Sequence, residues 1–113
     1  MLVKLLTAFV ITLIVAGCNE PAPVNTTLSA LSEVQKDFDG RPVIVSGILR
    51  TFDMPRHYWI ENDALDRVAI EGTINLGPLV SQTVTVTGVF RYDSERGRRI
   101  EVDELVSGSV HQP

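Results

Sequence analysis

Two stretches of this 113-residue chain repeat one pattern of residues. Residues 42–50 read Pro-Val-Ile-Val-Ser-Gly-Ile-Leu-Arg, and residues 83–91 read Thr-Val-Thr-Val-Thr-Gly-Val-Phe-Arg. The β-branched residues and the alternation with a period of two predict that both stretches are β-strands. Each carries a glycine at the same internal position, Gly47 and Gly88, and a glycine inside a strand usually marks a bulge or a sharp bend. Two bent strands predict a small closed barrel.

Three further strands complete the predicted barrel. They are expected at residues 58–61, 67–71 and 98–106. A turn at residues 62–63 joins the first two, and residues 93–97 form a hairpin loop before the last. The barrel is therefore expected to have five strands.

One short helix is predicted before the first bent strand. The apolar residues there recur at spacings of three, three and four, which is helical; they are Leu28, Leu31, Val34 and Phe38. Ser32 and Gln35 have the spacing of a capping box, so the helix is expected to begin late. Its expected role is to plug one end of the barrel.

The stretch 39–47, Asp-Gly-Arg-Pro-Val-Ile-Val-Ser-Gly, resembles the opening strand of OB-fold domains of the tRNA-anticodon-binding type. In that fold the first and fourth strands pair to close the barrel, as the two glycine-bearing stretches would. The resemblance implies an all-β, five-stranded Greek-key barrel; an SH3-like barrel and an open five-stranded sheet are the alternatives. The expected core comprises Val43, Val45, Leu49, Trp59, Val68, Ile70, Val84, Val86, Phe90, Ile100 and Val102.

The first seventeen residues have the parts of an export signal. Lys4 and the amino terminus supply positive charge, residues 5–16 are apolar except for two threonines, and Ala16 and Gly17 are small. A helix over residues 5–17 would span about 20 Å, whereas the hydrocarbon core of a bilayer is about 30 Å thick. The segment is therefore too short for a permanent anchor.

The sequence Val15-Ala16-Gly17-Cys18 resembles the lipobox of bacterial lipoproteins. The resemblance implies that the chain is cut before Cys18, that the Cys18 thiol carries a diacylglycerol, and that the freed amine carries a further acyl chain such as palmitate. It places the mature protein in the bacterial cell envelope, facing the periplasm. Asn19, rather than an aspartate, favours the outer membrane over the inner one. An ordinary secretory signal and a short transmembrane anchor are the alternatives.

Four segments are predicted along the chain: a signal peptide over 1–17, a lipidated flexible tether over 18–27, an OB-fold-like domain over 28–108 and a tail over 109–113.

After Cys18 the chain has nine basic and fourteen acidic residues, hence a net charge of −5. Nucleic-acid binders are usually basic, so nucleic acid is disfavoured as a partner. Because Cys18 is the only cysteine, neither a disulfide nor a thiolate metal site is expected, and no cofactor is implied.

OB-folds bind ligands on the face of their second and third strands and in the loops after the first and fourth. In this chain those regions hold aromatic and cationic side chains, which suit a ligand that stacks or carries negative charge. The ligand-binding candidates are Tyr58, Arg67, Arg91, Arg96 and Arg98. The alternative is an ordinary solvated surface, because carboxylates accompany the arginines along the same strands.

No pattern for catalysis accompanies these residues. Asp103 and Glu104 are neighbours in a strand and point to opposite faces, and His57 with Asp53 lacks a recognisable nucleophile. We therefore expect no enzyme, but a membrane-anchored binding or adaptor module whose partners are the membrane, through its lipid, and an envelope protein or glycan. The alternatives are recognition of an envelope oligosaccharide or other small ligand, and a structural accessory subunit of an envelope complex.

Overall fold

The computed structural model describes residues 21–72 and 75–109. The predicted signal peptide, Cys18 and most of the predicted tail lie outside the described residues. The described elements, in chain order, are β1 (Val24–Asn25), α1 (Leu28–Glu33), α2 (Gln35–Phe38), β2 (Pro42–Asp53), β3 (Arg56–Glu61), β4 (Arg67–Glu71), a 3₁₀ turn (Gly77–Leu79), β5 (Thr83–Asp93) and β6 (Gly97–Ser107).

Strands β2 to β6 form the predicted five-stranded barrel. Antiparallel pairs join β2 to β3, β3 to β4 and β5 to β6, whereas β4 and β6 are parallel. Residues 42–48 of β2 pair with β5, and residues 48–53 pair with β3, so β2 closes the sheet on itself. The fold is a small all-β, OB-like barrel, which confirms the predicted fold class. The β2–β5 pairing excludes the open sheet.

The two strand glycines stand where backbones or side chains approach closely. At Gly88, the register between β5 and β6 shifts, and a β-carbon would overlap the carbonyl oxygen of Glu101. At Gly47, just before β2 changes partner, a β-carbon would lie 2.8 Å from Leu28 Cδ1 and 3.0 Å from Ile60 Cβ. The predicted bulge is therefore found at Gly88, and Gly47 makes room for α1 and β3.

The barrel interior holds nine of the eleven predicted core residues. The two exceptions are Trp59, which faces outward, and Val102, which is only partly buried against the core. Ile60 takes the place expected for Trp59 and is fully buried. Alternation along β3 explains the exchange, because adjacent residues of a strand point to opposite faces.

The predicted helix is present as two short segments, α1 and α2, which meet at Val34. It begins at Leu28 and not late, because the Thr27 hydroxyl accepts a hydrogen bond from the Ala30 N–H at 3.1 Å and caps the first turn. Leu28 and Leu31 are buried in the core, so α1 closes one end of the barrel as expected.

Strand β1 joins the N-terminal segment to the barrel. Val24 and Asn25 pair in parallel with Val43 and Ile44 of β2, and the Thr26 N–H donates to the Ile44 carbonyl at 3.0 Å. Residues 24–26 of the predicted tether thus lie along β2. Nowhere in residues 21–72 and 75–109 is a helix long and apolar enough to cross a membrane.

Candidate binding face

Strand β3 divides its side chains between the core and the outer surface. Ile60 is fully buried and Tyr58 packs against the core, so the even-numbered residues face inward. His57, Trp59 and Glu61 therefore share the outer face with Arg50 and the other residues that pair with them across the sheet.

Four side chains on the outer face of β2, β3 and β4 form a continuous row, which we call the aromatic strip: Phe52, His57, Trp59 and Arg67. The ring centroids of Phe52 and His57 are 5.9 Å apart, and those of His57 and Trp59 are 5.3 Å apart. The Arg67 guanidinium lies over the Trp59 ring, 5.4 Å from its centroid. Both distances between rings fall in the range of favourable aromatic pairs, and the guanidinium position is that of a cation–π contact.

The strip ends in exposed apolar side chains. Phe52 is 57% exposed, and Met54, in the turn between β2 and β3, is 81% exposed. Such large apolar residues side by side with an aromatic row make a surface that a partner could cover.

The charge of the strip is positive. Arg67 has no carboxylate partner among the residues that the structure describes. The flanking arginines are paired: Arg50 Nε lies 2.8 Å from Glu61 Oε1, and Arg56 Nη2 lies 3.5 Å from Asp53 Oδ1. One uncompensated cation therefore remains on the strip, in a chain whose charge after Cys18 is negative.

Two ring nitrogens on the strip are constrained differently. His57 Nδ1 lies 2.7 Å from the Pro55 carbonyl oxygen, so this nitrogen donates and, in the neutral ring, Nε2 is left as an acceptor. Asp53 pairs with Arg56 and not with His57. The Trp59 Nε1–H is buried and meets no acceptor in the described part of the chain. The indole is thus positioned by ring and guanidinium contacts.

A second outer region, on β4, β5 and β6, consists of paired charges, and we call it the paired side. Arg99 Nη1 lies 2.7 Å from Asp93 Oδ2, and Arg99 Nε lies 3.9 Å from Glu71 Oε2. Arg96 also pairs with Glu71. Backbone donation from Arg96 and then the Arg99 guanidinium hold the pKa of Asp93 below its ordinary value. Arg91 completes the paired side, 3.4 Å from a Glu101 oxygen.

The five predicted ligand residues do not come together. Arg67 is on the aromatic strip, Arg91 and Arg96 are on the paired side, and Tyr58 packs against the core. Arg98 bridges elements, because its Nε donates to the Arg67 carbonyl at 3.1 Å and its Nη1 to Gln35 Oε1 at 3.1 Å. It therefore ties β6 to β4 and α2.

Three members of the strip, Phe52, His57 and Trp59, were missing from the predicted set, although the sequence carried a signal for Trp59. The alternation His57-x-Trp59-x-Glu61 places a histidine and a glutamate on the same face as the tryptophan. A face with two polar residues is the solvent face of a half-buried strand, so Trp59 belongs outside and Tyr58 with Ile60 inside.

The comparisons with known proteins bear on the fold. A solved structure that the chain resembles is that of an aspartyl-tRNA synthetase from Leishmania major Friedlin, with a TM-score of 0.55 and 11% sequence identity. The match covers 82% of this chain but 22% of that protein, so the likeness is confined to one part of a much longer chain. No protein-family model and no curated protein matches the sequence. Within residues 21–72 and 75–109 no cluster of three or more metal-ligating acidic, histidine or cysteine side chains is present.

Proposed function

We propose that this protein is a lipoprotein of the bacterial cell envelope, acylated at Cys18, facing the periplasm and favouring the outer membrane, whose barrel is a non-catalytic binding or adaptor module. The aromatic strip is the surface that binds the partner. The proposal joins the lipobox-like segment to a barrel of a kind that binds ligands on this same side.

The observation that carries the binding role is the exposure of Phe52 and Met54 at the end of the row formed by His57, Trp59 and Arg67. Aromatic residues, methionine and arginine are enriched in protein interfaces, and tryptophan, tyrosine and arginine are enriched among the few residues that carry most of the binding free energy. Covering Phe52 and Met54 removes apolar surface from water at about 25 cal/mol per Å².

An acidic protein surface is the partner that the strip suits best. Arg67 offers a cation without a carboxylate partner among the described residues, and Phe52 and Met54 offer long apolar groups that fit pockets of a protein. An envelope oligosaccharide is the second candidate, because the exposed Phe52 ring could stack on a sugar. A role as a structural accessory subunit of an envelope complex would not require an exposed strip, so the exposure of the strip does not support that role.

The binding role can be tested by cross-linking in living cells. A photoreactive amino acid at Met54, at the exposed end of the strip, captures whatever covers it. The variants Trp59→Ala and Arg67→Gln should each lower the yield of one adduct, by about tenfold or more for Trp59→Ala. Val106→Ala is the matched control, since Val106 is also exposed, at 46%, but lies in β6. All variants are first checked for a cooperative thermal transition well above the temperature of the experiment, so that only folded proteins are compared.

A protein adduct lost in the two strip variants and kept in the control supports the adaptor. An adduct that consists of glycan supports the oligosaccharide instead. Wild-type yields in both strip variants contradict a binding role for the strip. For the anchor, Cys18→Ser should move the protein to the soluble fraction or leave it unprocessed; membrane attachment that persists without acylation contradicts the lipoprotein assignment.

A further inference from the structure

The N-terminal segment meets the barrel at the start of β2, beside β5. Pro21, Ala22 and Pro23 border a groove whose other walls are Gly40, Pro42, Val89 and Asp103. Val24 and Asn25 then pair with the first residues of β2, so this junction is fixed by backbone hydrogen bonds. The chain therefore enters the barrel at the start of β2, and we call this region the entry side. Residues 21–23 lie beside β5, and β1 then runs along the edge of β2 opposite β5, the edge that pairs with β3 farther along.

The aromatic strip lies on another side of the barrel. The strip is centred on β3 and β4. Around the closed sheet, β2 lies between β3 and β5, and β6 lies between β4 and β5. Phe52 is on β2 itself but nine residues beyond Val43, up to about 30 Å along an extended strand. The entry side and the exposed end of the aromatic strip thus lie at opposite ends of β2, and the strip is centred on strands that do not pair with β5.

The distance from the proposed lipid to the entry side is short. Only Asn19 and Glu20 separate Cys18 from Pro21, and a chain of three residues spans at most about 10 Å. With Cys18 acylated, as the proposed function requires, the entry side is held against the bilayer surface.

From this placement we propose that the aromatic strip faces away from the bilayer that holds the protein, and that it binds an acidic protein surface from the aqueous side. The competing occupant is the headgroup region of the same membrane, because tryptophan, phenylalanine and arginine also suit that region. The short connection at β1 keeps the strip out of its reach.

The chain is well suited to a test, because Trp59 is its only tryptophan. The acylated protein is incorporated into vesicles of phosphatidylethanolamine and phosphatidylglycerol, some of which carry phospholipids brominated near the headgroup end of the acyl chains. Bromine quenches an indole that touches it. Trp59 emission should be the same in brominated and ordinary vesicles. The matched control is the double variant Trp59→Phe and Pro21→Trp, whose indole lies on the entry side and should lose most of its emission.

The lipid anchor and the orientation of the barrel on the membrane are tested by different measurements. Flotation of the protein with vesicles, and a mass that includes the acyl chains, establish the anchor independently of fluorescence; without them the proposed lipoprotein fails. If the protein floats and Trp59 is quenched as strongly as the entry-side indole, the strip contacts lipid and the orientation is overturned. Unquenched Trp59 beside a quenched control supports the inference.

Discussion

The aromatic strip and the paired side are built on the same barrel and both contain arginine, yet their arginines have different partners. On the paired side Arg91, Arg96 and Arg99 each meet a carboxylate. On the strip Arg67 lies over an indole. A solvent-exposed ion pair stabilises a protein by about 0–1 kcal/mol, and its two charges neutralise each other. The Arg67 guanidinium keeps a charge that no carboxylate of the described residues neutralises. The partner of an arginine, more than its presence, therefore distinguishes the strip, our proposed binding surface, from the paired side.

The two strand glycines show a parallel difference. The atom nearest to a β-carbon at Gly47 would be the side-chain Cδ1 of Leu28, with the Glu61 carbonyl oxygen farther away at 3.2 Å, whereas the nearest atom at Gly88 would be the backbone carbonyl oxygen of Glu101. A side chain can shift with a rotamer change, but a carbonyl within a β-ladder cannot move without breaking hydrogen bonds.

The largest expected effect comes from Gly88→Ala. The added methyl overlaps the Glu101 carbonyl oxygen and displaces β6, so the free energy of unfolding should fall by about 3 kcal/mol or more. Gly47→Ala should cost about 1–2 kcal/mol, because its nearest neighbour is the flexible end of Leu28. Denaturant titration of both variants measures the difference. Equal losses would mean that the two glycines have the same role.

Tyr58→Ala and Trp59→Ala should show that one of these adjacent residues stabilises the fold and the other binds the partner. Tyr58 packs against the core, so its truncation should lower the free energy of unfolding by about 2 kcal/mol. Trp59→Ala should cost less than half of that while removing most of the cross-linked adduct. Thermal unfolding and cross-linking are measured on the same preparations. A Trp59 variant that loses more stability than the Tyr58 variant would place Trp59 in the fold and not in the binding surface.

Acid should weaken the paired side through Asp93. Backbone donation from Arg96, followed by the Arg99 guanidinium, holds the pKa of this carboxyl below its ordinary value of 3.8. A lowered pKa in the folded state means that the ionised group stabilises the fold above 3.8, and that this contribution is lost as the pH falls through the lowered pKa. Asp93→Asn should therefore lower the melting temperature at neutral pH and flatten its decline in acid. A decline of unchanged steepness would assign the acid sensitivity to another carboxyl.

The smallest expected effect is that of Arg91→Ala. Its pair with Glu101 is 3.4 Å long, and both side chains are about half exposed, so the change in the free energy of unfolding should stay below about 0.5 kcal/mol. The yield of the cross-linked adduct should be unchanged. Loss of the adduct in Arg91→Ala would extend the binding surface across β5 and remove the distinction between the two regions.

Prediction from the sequence succeeded where one residue decides local conformation and failed where two elements meet. The β-branched alternation and the shared glycines identified the long strands β2 and β5. The helix was located, but its start depends on the Thr27 hydroxyl and its interruption at Val34 is a feature of the packed structure. In β3, a six-residue strand with two large aromatics in a row, the prediction placed Trp59 in the core and Tyr58 on the binding face, and the structure reverses the two.

The sequence alone determined the barrel, because the alternation, the β-branched residues and the glycines each act over only a few neighbouring residues of the chain. The lipobox-like segment is equally local, and the acylation it predicts can be tested without a structure. The aromatic strip, which we propose as the binding surface, depended on tertiary structure. Which arginines find a carboxylate, which ring is covered and which side bears the N-terminal segment are settled by contacts between strands far apart in the chain. Such contacts form only after the barrel has closed, so the row from Phe52 to Arg67 is a property of the folded sheet.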